Sequence, residues 1–173
     1  MDNVRVLLLM RHAKSSWADP ALADRERPLS ARGEEASRRM AVFVEATGVR
    51  PEVVLCSPAR RTRDTLELLR PALGEGAEVV FDEALYGAEA TAILGRLRTL
   101  DDSVGSAMVL GHNPGLQDLA LDLIGSGDAD ACSQLQAKFP TAALATLELG
   151  DFGWSDLGPG RARLARLTLP RQL

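Results

Sequence analysis

Apolar residues in this chain gather into short, nearly unbroken runs set between longer stretches of helical period. The clearest are Val4-Arg5-Val6-Leu7-Leu8-Leu9-Met10, Val53-Val54-Leu55-Cys56 and Ala107-Met108-Val109-Leu110. A strand with one wet face would alternate, so continuous runs of this kind read as strands buried on both faces of a parallel sheet. Strands are predicted near residues 4–10, 53–56, 78–81 and 107–110, and helices near 31–47, 59–73, 88–99 and 114–124. Ser30 suits the N-cap of the first helix, Gly48 its C-terminal stop, and Pro114 the first position of the last. Strand and helix alternate, which predicts a mostly parallel sheet covered on both faces. Beyond a polar, Gly-rich stretch at 125–130, residues 141–149 and 163–169 alternate in the manner of strands. Separated by the turn-rich segment 150–160, they are expected to pair as an antiparallel edge. The expected class is α/β, a three-layer α/β/α sandwich, with residues 1–173 forming one domain.

Composition agrees with that reading. A chain of 173 residues at 46% hydrophobic content buries a substantial core without disulfides. Cys56 lies in an apolar run and Cys132 in a helical-looking stretch, so buried free thiols and a reducing, cytoplasmic compartment are expected. The N-terminal run is short and interrupted by Arg5, unlike a signal peptide, and no segment reaches membrane-spanning length. A net charge of −4 argues against a general nucleic-acid binder. The expected form is a monomer or a homodimer, in contact with neither nucleic acid nor membrane.

The candidate chemistry sits where two of the predicted strands end. His12 and His112 are the chain's two histidines, and each directly follows such a strand, where ligands of open α/β sheets gather. Neither phosphate-loop nor dinucleotide glycine patterns occur, and two histidines without clustered cysteines make a dedicated zinc site improbable. No cofactor and no metal are expected. What remains is histidine with arginine: the guanidinium fork binds phosphate oxygens in pairs, and a neutral imidazole can attack phosphorus. Arg11 adjoins His12, and further cations lie in Ser57-Pro58-Ala59-Arg60-Arg61-Thr62-Arg63-Asp64-Thr65. On a helix Arg60 and Arg61 point about 100° apart, so one of them faces the site.

These residues carry a resemblance. Arg11-His12-Ala13 resembles the Arg-His-Gly signature of the histidine phosphatase superfamily, the phosphoglycerate-mutase-like fold. Ser57-x-x-x-Arg61-x-x-x-Thr65 resembles its second motif and Gly111-His112-Asn113 its third. Arg11-His12-Ala13-Lys14-Ser15-Ser16-Trp17, Arg27-Pro28-Leu29-Ser30-x-x-Gly33, Leu85-Tyr86-Gly87-Ala88 and the short chain are most similar to the SixA-type phosphohistidine phosphatase group.

The resemblance implies that His12 is the nucleophile and that Arg11, Arg61 and His112 form the phosphate pocket, His112 donating a hydrogen bond to the moving phosphoryl group. Its spacing selects Arg61 over Arg60. Ser15 matches a substrate-binding hydroxyl position, Ser57 is expected to cap the second helix, and Trp17 reads as a core or a rim aromatic, with packing in the core preferred. A carboxylate near the end of the third strand protonates the leaving group in relatives acting on small molecules, which makes Glu83, or else Asp82, the candidate acid. The implied substrate is a phosphorylated protein, specifically a phosphohistidine, or a small phosphorylated molecule. A phosphate- or phosphopeptide-binding module without catalysis is the alternative.

Overall fold

The four strands predicted first along the chain become the parallel half of a sheet. In the computed structural model, which describes residues 4–173, β1 (Val6–Arg11), β2 (Val53–Cys56), β3 (Glu78–Phe81) and β4 (Ser106–Gly111) lie parallel in the spatial order β3-β2-β4-β1. The helices connecting them are α1 (Ala31–Thr47), α2 (Arg60–Leu73) and α3 (Ala90–Leu97), and α4 (Gly115–Leu123) follows β4. The Ser30 hydroxyl accepts from the Gly33 amide at the start of α1, and Gly48 ends that helix at φ 71°. Pro114 stands just before α4, one position earlier than expected.

Side-chain alternation along β1 sorts the core into two layers. Leu7 and Leu9 join Leu55, Val109, Ile93, Leu116 and Leu119 on the face covered by α3 and α4. Leu8 and Met10 join Val54, Met108, Met40, Leu66 and Leu69 on the face covered by α1 and α2. Burying each such side chain contributes about 1.5–3 kcal/mol, which is why both faces of these strands are apolar. The edge strand β3 is only partly covered, and Phe81 at its end is exposed.

The last third departs in part from the sequence reading. β6 (Leu144–Leu149) and β7 (Ala162–Thr168) pair antiparallel as expected, and β6 also runs antiparallel to β1. They do not close the sheet. The Gly-rich stretch expected to be turn forms β5 (Ile124–Gly127), which lies parallel to β7 at the outer edge and leads into α5 (Ala129–Ala137). A Cβ on Gly125 would lie 2.1 Å from the Gly160 carbonyl oxygen, so this strand needs glycine to reach its neighbour. Its glycines serve close approach rather than turning.

β2, β4 and β1 are adjacent, so their carboxyl ends meet. Arg11 pairs with Gly111 in the β1–β4 register, which sets His12 and His112 side by side. Cys56 is a buried free thiol as expected, whereas Cys132 is free but only half-buried. Among the described residues no helix is long and apolar enough to cross a membrane.

Candidate active site

The first residues beyond β1 and β4 bring two imidazoles to a centroid separation of 5.2 Å. His12 Nδ1 lies 2.6 Å from the Ala13 carbonyl oxygen, a geometry that assigns the proton to Nδ1 and leaves the Nε2 lone pair facing a cleft of about 550 Å³. Ala13 is itself fixed: its amide donates to Thr65 Oγ1 at 3.1 Å, and that hydroxyl donates to the Arg61 carbonyl. The left-handed Ala142, at φ 63°, donates its amide to the Arg11 and His12 carbonyls, a strained residue locking the His12 backbone.

Arg61 enters from the first turn of α2. Its Nε donates to His12 Nε2 at 3.3 Å, Nη1 to the Asp24 carbonyl at 2.8 Å, and Nη2 to Asp24 Oδ2 at 3.1 Å. Nη2 also lies 3.4 Å from His112 Nδ1. With that nitrogen facing a donor, His112 carries its proton on Nε2 and donates to Ser57 Oγ at 2.7 Å. The neighbouring Arg60 points away to Asp64 on an exposed surface. Four residues apart, Arg61 and Thr65 lie on one helix face, and Ser57 precedes it. Ser57 is not the cap of α2; Ala59 occupies that position, and the Ser57 hydroxyl holds His112 instead.

Arg11 lines the same cleft. Its Nη1 donates to the Phe139 carbonyl at 3.1 Å, while its Nε has no acceptor among the described residues. Ser15 lines it too, accepting at 2.6 Å from Arg27 Nη1. Gly33 allows α1 to meet this loop, since a Cβ there would fall 2.1 Å from the Lys14 carbonyl oxygen.

Residues 7–100 match the family model of the histidine phosphatase superfamily, branch 1. The chain belongs to that superfamily. It is 35% identical over 164 residues to an uncharacterised protein of Mycobacterium tuberculosis, covering 94% of this chain and all of the relative. It is 30% identical over 169 residues to the phosphohistidine phosphatase SixA of Escherichia coli, covering 92% and 98%. A solved candidate phosphohistidine phosphatase SixA from Nakamurella multipartitia superposes with a TM-score of 0.83 at 28% identity, covering 96% of each chain.

The carboxylates of this histidine phosphatase are arranged differently from the sequence reading. Asp82 accepts from Arg96 at 2.8 Å and from the Ala84 amide, Glu83 pairs with Arg25, and neither lines the cleft. Their arginine partners hold them outside it, since Tyr86 from the same segment does reach the cleft. The carboxylate in the cleft is Asp24, from a single 3-10 turn between β1 and α1. It accepts from Arg61, from Arg27 Nη2 at 2.8 Å, and from the Tyr86 hydroxyl at 2.6 Å. Sequence reasoning missed Asp24, Tyr86 and the buried Arg27. Asp24 lies in an irregular loop with no period to read, although Arg27 and Tyr86 stand in motifs quoted for the resemblance.

Trp17 does not pack in the core. It is 73% exposed at the cleft's rim, with the Arg27 guanidinium 3.7 Å from its ring centroid.

Burial and surrounding cations set the charge states of this phosphatase. His12 falls to about 3, chiefly by burial and further by His112, Arg61 and Arg11, against the hydrogen bond to Ala13. His112 falls to about 4, again by burial first and then by Arg61. Both imidazoles are neutral at pH 7. The Asp24 carboxyl is held well below the usual carboxylate range, first by the Tyr86 hydroxyl, then by Arg27 and Arg61. A neutral His12 imidazole thus faces a cleft lined by Arg11, Arg27, Arg61 and Lys14.

Proposed function

We propose that this phosphatase hydrolyses phosphohistidine on proteins, without a metal and through a phosphoryl group carried on His12 Nε2. The observation that supports it best is the state of the cleft's acid. Asp24 is ionised and bound by three donors, while Asp82 and Glu83 are engaged elsewhere, so among the described residues no protonated carboxyl is poised over the cleft. An alkoxide leaving group would need such an acid, whereas an imidazole does not.

The bookkeeping closes without one. A phosphohistidine protonated on its distal nitrogen carries its own proton; His12 Nε2 bonds to phosphorus, the substrate P–N bond breaks, and its electron pair returns to a now neutral imidazole. Water then attacks the phosphoryl group on His12. Its oxygen bonds to phosphorus, the Nε2–P bond breaks with its pair returning to Nε2, and dihydrogen phosphate leaves with both water protons. The Nδ1–H bond to Ala13 persists throughout. Arg11 and Arg61 neutralise the equatorial oxygens, the main demand of phosphoryl transfer. His112 serves as a donor when its proton sits on Nδ1 and Nε2 accepts from Ser57, a hydroxyl able to bond either way. The free thiols support a reducing compartment, the cytoplasm.

The test is hydrolysis, in EDTA, of a histidine-phosphorylated phosphotransfer domain and of p-nitrophenyl phosphate, each with wild type and His12→Ala. Turnover of the phosphoprotein that disappears in the variant is expected. Turnover of the ester alone would place the substrate among small phosphomonoesters, and none dependent on His12 would favour a binding module.

A further inference from the structure

Large aromatic side chains are rarely left in water without use, and Trp17 is 73% exposed beside the phosphate cleft. It is also held still. One face of the indole rests on Arg27, whose own donors are fixed by Asp24 Oδ1 and Ser15 Oγ, and the Ser16 amide donates to the Pro28 carbonyl at 2.8 Å. The other face is open. Between Trp17 and Asp24, both on the cleft, the chain exposes Ala18, Pro20, Ala21 and Ala23 with the single carboxylate of Asp19 among them.

A small phosphorylated molecule seated on Arg61 leaves most of this exposed rim segment uncovered. A protein whose phosphorylated side chain enters the cleft must lie across it, because Trp17 forms part of the cleft's rim. Rigid, amphipathic indoles of this kind give large contact area at low entropic cost, and they dominate binding energy at protein interfaces. Lys14, exposed and in no ion pair among the described residues, adds a cation to the rim that Trp17 lines.

We propose that Trp17 and residues 18–23 form the docking face for the folded phosphoprotein. The open side of the indole packs on an apolar side chain beside the partner's phosphorylated histidine, and Lys14 faces an acidic neighbour of it. This rests on the phosphohistidine-protein reading above and adds which surface selects the protein.

The experiment compares kcat/KM for a histidine-phosphorylated phosphotransfer domain, free phosphohistidine and phosphoramidate, using wild type, Trp17→Ala and Ala21→Glu. Phosphoramidate offers the same P–N bond with no surface to dock. The ratio of phosphoprotein to phosphoramidate activity is expected to fall at least about tenfold in Trp17→Ala, mainly through KM. Ala21→Glu should lower phosphoprotein activity and leave phosphoramidate hydrolysis as it was. An equal loss on all three substrates would overturn the proposal by showing that the indole merely holds Arg27. A loss shared by free phosphohistidine and the phosphoprotein would overturn it in favour of stacking on the substrate's own ring. Wild type that hydrolyses phosphoramidate but no phosphoprotein would defeat the phosphohistidine-protein reading itself, a result distinct from either.

Discussion

Arg61 donates to His12 Nε2, to both the backbone and the carboxylate of Asp24, and approaches His112, all from one planar group. A lysine keeps the charge but not the fork, so Arg61→Lys is expected to lower kcat/KM for phosphoramidate about 10²–10³-fold, the scale of losing one preorganised donor at an oxyanion. Asp24→Asn tests the acid assignment. If Asp24 positions Arg61 rather than donating a proton, the loss should be uniform across leaving groups, measured over a series of substituted phenyl phosphates; a loss growing with leaving-group basicity would mark an acid. The neutral histidines fix the pH profile as well. With His12 near 3 and His112 near 4 in the free enzyme, kcat/KM should show no acid limb near pH 6.5 and should decline only toward pH 4. At this scale the sequence was readable where cleft residues sit in motifs that follow strands, as with His12 and Arg61. It was silent on Asp24, which reaches the cleft from a loop whose path is set by Arg27 and Tyr86 and by no local pattern.

Among elements, the parallel strands and the first helices were legible because burial on both faces leaves continuous apolar runs and caps leave Ser30 and Gly48. β5 was not, because Ile124-Gly125-Ser126-Gly127 carries turn residues for a tertiary reason, the approach of Gly160. Trp17 was misread because nothing local separates a core indole from one stacked on a buried arginine at the surface. The packing of α1 against the loop after His12 makes its own prediction. Gly33→Ala would drive a methyl into the Lys14 carbonyl at 2.1 Å, so the loop carrying Ser15 must move. Activity toward phosphoramidate should fall more steeply than thermal stability, read by parallel assays and melting curves.

For the whole molecule, two buried histidines tie folding to pH. Unfolded, each takes up a proton below about pH 6.5; folded, they do so only near 3 and 4. The unfolded chain therefore binds more protons across that window. Stability is full above pH 6.5 and declines as pH falls toward 4, by about 1.4 kcal/mol per unit for each histidine at most. Asp24 acts lower: its folded value is depressed, so its contribution holds above about pH 4 and is lost only below it. Urea unfolding at pH 7, 5.5 and 4.5 should show the decline, and His12→Gln with His112→Gln should flatten it.

The covalent step is the centre of this account, and rapid quenching of the wild-type enzyme with a phosphoprotein labelled on its phosphohistidine tests it most directly. Label is expected on the enzyme at His12, stable to alkali and labile to acid as a P–N bond requires, and absent from His12→Asn. Phosphate released at full rate with no label ever reaching His12, or release undiminished in His12→Asn, would contradict it.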